Sequence, residues 1–198
     1  MRRFVVIGQR ASASADFSLA DLPGSSGRLD VLLRCTRAAL LVSHGLRRDT
    51  QVYLVLGGGP RAPRTLRLDG SAARFVRPDE RSLALLVQKA LSAPAAGPEL
   101  VEVRSGVAVA DGGLEWLIPR LGGGAPFVLE EQAQDLREIP EYGADPVFFV
   151  GDHLGFEPSA RAALARLGAT PVGVGPLSVH AEDAVTLVVN ELDRRQSA

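Results

Sequence analysis

Three loops in the second half of the chain each follow an apolar run; one of them contains two glycines and another a glycine and a proline. The first begins at Leu129, the second is Gly151-Asp152-His153-Leu154-Gly155, and the third is Val174-Gly175-Pro176-Leu177-Ser178-Val179. Glycine has no Cβ, so backbone N–H and C=O groups can approach a ligand closely, which suits an adenine or a ribose. The same residues are common in ordinary turns, and Asp152 could simply cap one. Spacing alone leaves both interpretations open.

The sequence contains no familiar catalytic motif. Neither the glycine fingerprint of dinucleotide-binding folds nor a P-loop occurs, and no Ser-His-Asp or paired-carboxylate arrangement can be inferred from spacing. His153 and His180 could act as general bases, although a histidine near a turn is more often a hydrogen-bond partner. With Cys35 as the single cysteine, we expect neither a disulfide framework nor a metal site.

Charge is distributed unevenly along the chain. Residues 1 to 89 hold fifteen Lys or Arg against seven Asp or Glu, about +8, whereas residues 90 to 198 carry about −9. The basic half is therefore a candidate surface for RNA phosphates. Two alternatives remain open at this point: the arginines could lie on solvated helix faces, or they could pair with acidic faces of the other half.

The pattern of apolar residues predicts the elements that position these loops. Predicted strands are Phe4 to Gly8, Val52 to Leu56, Thr65 to Leu68, Arg74 to Val76, Phe127 to Leu129, Val147 to Val150 and Thr170 to Val174. Predicted helices are Gly27 to His44, Asp79 to Leu91 with Asp79 as its N-cap, Pro158 to Leu167 and Val179 to Leu192. The Gly57 to Gly59 triplet is expected in a hairpin or loop.

Strands and helices alternate, which predicts an α/β fold: a mostly parallel sheet flanked by helices, with ligands bound beyond the carboxyl ends of the strands. After the predicted helix Asp79 to Leu91, the segment Ala93 to Pro98 is predicted to be a linker. A short helix is expected around Trp116, whose indole we assign to the core rather than to base stacking. A chain of 198 residues fits a single domain, and no apolar run approaches the ~20 residues of a membrane helix. We expect a cytoplasmic protein without a membrane partner.

Short motifs spread over most of the chain carry a resemblance to a known family. In the first half they are Asp21-Leu22-Pro23-Gly24, Gly27-Arg28-Leu29-Asp30, Arg34-Cys35, Ser43-His44, Arg47-Arg48-Asp49 and Pro78-Asp79-Glu80-Arg81. In the second half they are Pro146-Val147-Phe148, Gly151-Asp152-His153-Leu154-Gly155, Pro176-Leu177 and His180-Ala181. In order and spacing these segments resemble the archaeal tRNA pseudouridine-54 N1-methyltransferases, a SPOUT family. Residues 92 to 125 resemble it weakly.

This resemblance implies a SPOUT-type sheet with a C-terminal trefoil knot, a homodimer and S-adenosylmethionine as cofactor. Together with the charge distribution, it divides the single domain 1–198 into a basic, RNA-facing half, 1–91, and a cofactor-binding knot half, 126–198. The cofactor contacts it implies are Leu129, Gly151, Val174, Gly175, Pro176, Leu177, Ser178, Val179 and Ala184. At the last of these positions the archaeal members have cysteine, so Ala184 departs from the family pattern.

Methyl transfer to a ring nitrogen needs a positioned nucleophile and removal of a proton. Asp21, beside a Pro-Gly turn in the basic half, is the best candidate for the carboxylate, with turn capping as the alternative. Candidate RNA contacts are Arg28, Arg34, Arg47 and Arg48, because guanidinium groups match phosphate geometry. Arg28 could instead pair with Asp30 in a structural role.

The sequence therefore predicts a methyltransferase acting on N1 of pseudouridine in tRNA. Two alternatives stay open: a SPOUT paralogue that methylates another RNA base, favoured by Ala184, and a non-catalytic RNA-binding protein on the same scaffold.

Overall fold

A computed structural model describes residues 1–94 and 97–196 of the chain. Its strands are β1 (Arg2–Ser12), β2 (Leu41–Val42), β3 (Gly45–Leu46), β4 (Thr50–Gly58), β5 (Arg64–Asp69), β6 (Val101–Arg104), β7 (Val107–Ala110), β8 (Pro126–Leu129), β9 (Val147–Gly151) and β10 (Thr170–Val172). Its α-helices are α1 (Leu22–Ser25), α2 (Leu29–Leu40), α3 (Glu80–Leu91), α4 (Leu114–Leu117), α5 (Pro158–Leu167) and α6 (Ala181–Gln196). Two short 3-10 turns lie at Ile118–Arg120 and Leu136–Glu138.

Eight of the strands form one sheet in the order β10-β8-β9-β1-β4-β5-β7-β6. The first five are joined by parallel pairings, and the last three extend the sheet through antiparallel pairings. The remaining strands, β2 and β3, form a separate hairpin directly after α2. Strands from both halves of the chain therefore share a single sheet, with β1 next to both β4 and β9.

Alternating residues of the central strands pack on opposite faces of the sheet. Phe4 and Val6 face a large core that includes residues of α2, α3 and α6. Val5 and Ile7 face a smaller core with Leu117 of α4 and residues of α5. Because both faces are covered, the parallel strands are continuous apolar runs rather than alternating ones.

The predicted α/β architecture, a mostly parallel sheet flanked by helices, is confirmed. The prediction of α5 agrees with the structure residue for residue, and Asp79 caps α3 by accepting a hydrogen bond from the Ser82 N–H at 2.8 Å. The Gly57 to Gly59 triplet lies at the hairpin between β4 and β5.

Two local predictions are wrong, and one hairpin was not predicted. Arg74 to Val76 is not a strand, because this segment is irregular and its arginine and phenylalanine are exposed. The helix predicted to reach His44 ends at Leu40, where the chain turns into the β2–β3 hairpin. The β6–β7 hairpin was missed inside the weak 92 to 124 region, since each of its strands has only four residues. Of the predicted linker, residues 95 and 96 lie outside the described residues.

Trp116 is partly buried against the smaller core, and its indole N–H donates to the Pro98 carbonyl at 2.8 Å. The core assignment of this residue is thus confirmed. Within the described ranges, 1–94 and 97–196, no helix is long and apolar enough to cross a membrane.

Candidate cofactor and RNA sites

The three loops singled out in the sequence meet at one edge of the sheet. Strands β10, β8 and β9 are parallel neighbours, so their carboxyl ends lie side by side. The loops after β8 and β10 are also hydrogen-bonded to each other. The Leu136 N–H donates to the Gly173 carbonyl at 2.8 Å, and the Gly173 N–H donates to the Gln134 carbonyl at 2.8 Å. The tertiary structure therefore brings together the loops of the predicted cofactor site.

The loop after β9 is a tight turn attached to the end of β1 by Asp152. The carboxylate is 1% exposed and accepts hydrogen bonds from the backbone N–H of Gln9 at 2.9 Å and of Leu154 at 2.8 Å. The Gln9 side-chain amide donates in turn to the Gly155 carbonyl at 3.0 Å. Glycine is needed at position 151, because a Cβ there would lie 2.8 Å from the Gly155 carbonyl carbon. Asp152 thus caps a turn, and it also joins two strand ends.

The segment after β10 presents unused backbone donors. Pro176, Leu177, Ser178 and Val179 are exposed, and Val174 and Gly175 are partly buried. In the described part of the chain, no backbone N–H of residues 174 to 179 donates to a protein acceptor. Free main-chain donors on a loop can hydrogen-bond to the acceptor atoms of an adenine or a ribose. The segment therefore fits S-adenosylmethionine, the cofactor that the family resemblance implies.

Two further predicted contact positions flank this segment. Leu129 is the last residue of β8 and is partly buried. Ala184 lies in the first turn of α6, is 8% exposed, and donates its backbone N–H to the His180 carbonyl at 3.0 Å. Both positions lie beside the loops just described.

A cluster of charged side chains connects α2 to the start of α6. Arg28 and Arg34 both bind the buried Asp30 carboxylate at 3.0 Å, and Arg34 also reaches Glu182 at 2.7 Å. Burial raises the pKa of Asp30, but the hydrogen bonds and charges of the two guanidinium groups outweigh it and lower the pKa below its ordinary value. The pKa of Arg28 is raised chiefly by Asp30, with a smaller contribution from the charge of Asp152. Arg28 thus pairs with Asp30, which was the alternative to an RNA contact in the sequence analysis.

Three of the four candidate RNA arginines, Arg34, Arg47 and Arg48, line one open groove. Its volume is about 1380 Å³, and it lies between α2, the β2–β3 hairpin, the segment 71–78 and α6. Arg47 pairs with Asp193 at 2.8 Å, and Arg48 donates to the Gly70 carbonyl at 2.9 Å. The fourth, Arg28, lies outside this groove.

Ion pairs between the two halves of the chain account for part of the charge asymmetry. Arg2 and Arg47 pair with Asp193, Arg34 with Glu182, and the fully buried Arg64 with Asp111 at 2.9 Å. Pairing of basic and acidic faces, one of the alternatives drawn from composition, is therefore present in the structure.

Asp21, the candidate proton acceptor, is exposed and caps α1, because its carboxylate accepts a hydrogen bond from the Gly24 N–H at 3.1 Å. The His153 ring lies 4.0 Å from the Asp152 carboxylate, and His180 is exposed. Cys35 is buried, and burial raises the pKa of its thiol far above the ordinary value, so it is a poor nucleophile. Among the described residues, no group of three or more metal-ligating side chains could hold an ion.

Comparison with known proteins places these features in a family. A family model described as "Putative SAM-dependent RNA methyltransferase" matches residues 1–197. The tRNA (pseudouridine(54)-N(1))-methyltransferase of Methanosarcina mazei is 43% identical over 197 residues, which cover 100% of this chain and 93% of the relative. This chain belongs to that methyltransferase family. The family member of the same name from Halobacterium salinarum is 41% identical over 195 residues, 98% of this chain and 96% of the relative.

Membership of the family confirms the resemblance drawn from the short motifs. The structure of Archaeoglobus fulgidus Nep1 bound to S-adenosylhomocysteine matches the fold with a TM-score of 0.68 at 15% identity, over 100% of this chain and 99% of that chain. At this identity the likeness concerns the fold alone.

Sequence reasoning missed two residues that organise the candidate site, Gln9 and Glu182, and it named Asp30 only as a possible partner of Arg28. Gln9 and Glu182 lie 143 and 148 positions from the residues they bind, Asp152 and Arg34, so no local spacing connects them. Asp30 offered a signal, because an aspartate in the apolar stripe of a predicted helix must be paired to be buried.

Proposed function

We propose that the protein transfers a methyl group from S-adenosylmethionine to N1 of pseudouridine at position 54 of tRNA. The observation that supports this most directly is the 43% identity to a methyltransferase of that name over the whole chain. The parallel strand ends support it independently, because they place the loops at 129, 151 and 174 to 179 at one edge.

The cofactor would be held by Leu129, Gly151, the segment from Val174 through Gly175, Pro176, Leu177 and Ser178 to Val179, and Ala184. When bound, it supplies an electrophilic sulfonium methyl group. The protein's part is then to orient the acceptor ring, exclude water and accept the N1 proton. Asp21 is our candidate acceptor: it lies in the loop that follows β1, and β1 is parallel to β9 at the same sheet edge. Its single described side-chain bond, to Gly24, leaves oxygen lone pairs available.

Three further properties belong to the proposal. We infer a homodimer, supported by the exposed apolar side chains of Leu177 and Val179 beside the cofactor segment. We also infer a C-terminal trefoil knot. The sheet order β10-β8-β9 is compatible with it, because β8 lies between two strands that both follow it in the chain. We infer that the protein is a single domain with a basic, RNA-facing half and a cofactor-binding half, and that it acts on tRNA in the cytoplasm.

Methylation of defined transcripts tests the function. The purified protein is incubated with S-adenosylmethionine and tRNA carrying either pseudouridine or uridine at position 54, and digested nucleosides are separated by mass spectrometry. We expect N1-methylpseudouridine from the first substrate alone. A methyl group on another base would instead identify a paralogue with a different substrate, to which Ala184 would be relevant. Failure to bind S-adenosylmethionine in titration calorimetry would favour a non-catalytic RNA-binding protein.

A further inference from the structure

The side chain of Phe75 is 88% exposed on the wall of the arginine-lined groove. Its backbone φ is +56°, in the left-handed region that residues other than glycine rarely adopt. It stands in the sequence Arg74-Phe75-Val76-Arg77, with an exposed arginine on either side. A ring that is 88% exposed buries very little within this chain, so packing explains neither its exposure nor its conformation.

The backbone that leads to Phe75 is fixed by side chains from two neighbouring loops. Arg48 donates to the Gly70 carbonyl at 2.9 Å, Ser105 donates to the Ala72 carbonyl at 2.9 Å, and Arg104 donates to the Arg74 carbonyl at 3.1 Å. A ring on a tethered backbone loses less conformational entropy on binding than one on a free loop. The segment is thus preorganised to present Phe75.

The groove is lined by five arginines and by three carboxylates, those of Glu182, Asp183 and Asp193, so its net charge is positive. Among the described residues, Arg37, Arg48 and Arg74 form no ion pair with a carboxylate, whereas Arg34 and Arg47 do. Single-stranded nucleic acid combines the two features this surface complements, phosphates for the guanidinium groups and a flat base for the ring.

We propose that Phe75 is a stacking platform for an unpaired base of the RNA substrate, with Arg37, Arg48 and Arg74 contacting the adjoining phosphates. This inference rests on the proposed function for the identity of the RNA. It adds a contact surface that lies apart from the cofactor loops, in a segment where the sequence alone predicted a strand.

The test compares Phe75→Ala, Phe75→Leu and Phe75→Trp with the parent in tRNA binding by fluorescence anisotropy. Stacking on one base predicts about tenfold weaker binding for the Ala and Leu variants and retained binding for Trp. Leu85→Ala is the matched control, because Leu85 is a partly exposed apolar residue of α3 outside the groove, and it should bind like the parent. S-adenosylmethionine affinity and the molecular mass from light scattering should be unchanged in all variants.

Parent-like tRNA binding by Phe75→Ala overturns the proposal, and so does full binding by Phe75→Leu, which would indicate apolar contact without stacking. A change of molecular mass in Phe75→Ala also overturns it, because the occupant of the groove would then be a second copy of the chain. The two assays separate this inference from the proposed function. If the parent protein binds tRNA but does not methylate it, the proposed function fails. The comparison of tRNA binding by the Phe75 variants then still tests whether Phe75 is a stacking platform.

Discussion

The Asp152 carboxylate joins the ends of β9 and β1 by accepting the backbone N–H of Gln9 at 2.9 Å. Because it also accepts the Leu154 N–H, one buried side chain satisfies two backbone donors at the edge where the predicted cofactor loops lie. This bond spans 143 residues of sequence, so it fixes the predicted cofactor turn relative to the first strand of the sheet.

Asp152→Ala should destabilise the protein by about 2 kcal/mol, since it leaves two partly buried backbone N–H groups without their acceptor. It should also weaken S-adenosylmethionine binding, because the turn at Gly151 loses its attachment to β1. Urea unfolding and titration calorimetry measure the two effects. Asp49→Ala, which removes a half-exposed carboxylate far from these loops, is the comparison; equal losses of cofactor affinity in both variants would contradict this role.

Gly151→Leu should weaken S-adenosylmethionine binding by at least tenfold, about 1.4 kcal/mol. The new Cβ would lie 2.8 Å from the Gly155 backbone, so the turn must open and shift the loop. Gly123→Leu is the control, because a Cβ there meets no atom within 4 Å. Unchanged affinity in Gly151→Leu would reject the assigned pocket.

Asp30 should contribute to acid stability. Its pKa in the folded protein is lowered by Arg28 and Arg34, so its stabilisation is fully present above the unfolded pKa of about 3.9 and is lost as pH falls through the folded value. Unfolding free energy measured from pH 6 downward should therefore fall more steeply below about pH 4 in the parent than in Asp30→Asn. Asp16→Asn, at an exposed position, should keep the parent's profile.

Arg47→Ala should reduce the slope of log Kd for tRNA against log salt by about one, the loss of one phosphate contact. The residue lines the groove, although it is paired with Asp193 in the free protein. Arg47→Lys keeps the charge and should keep most of the slope. Arg166→Ala, on α5, should leave it unchanged. A parent-like slope in Arg47→Ala would show that its charge serves the ion pair alone.

Asp21→Asn should lower the methylation rate on the order of a hundredfold while tRNA and cofactor remain bound. Asparagine can still accept the Gly24 N–H and cap α1, so the fold is kept and only the proton acceptor is lost. Asp79→Asn is closely matched, because Asp79 caps α3 in the same way and has no proposed role in catalysis. Equal rates in the parent and Asp21→Asn would assign Asp21 to turn capping.

The sequence by itself predicted the parallel part of the sheet and the loops that we propose for the cofactor. Buried parallel strands such as β1, β4 and β9 are continuous apolar runs, and helices such as α5 carry a local 3.6-residue period, so neighbouring residues define them. Their alternation places strand ends at a common edge, which is why the loops at 129, 151 and 174 to 179 could be chosen together. The four-residue strands of β6 and β7 are too short to give such a signal.

Only the tertiary structure decided what the charged side chains do. Arg34 could be read from the sequence as an RNA contact, yet it binds Glu182, 148 residues away, and Asp152 likewise binds Gln9. Phe75, within a segment predicted as a strand, is instead exposed beside the arginines of the groove. A hydrogen bond or ion pair depends on distances of about 3 Å between atoms that the fold brings together, and local periodicity carries no information about such distances.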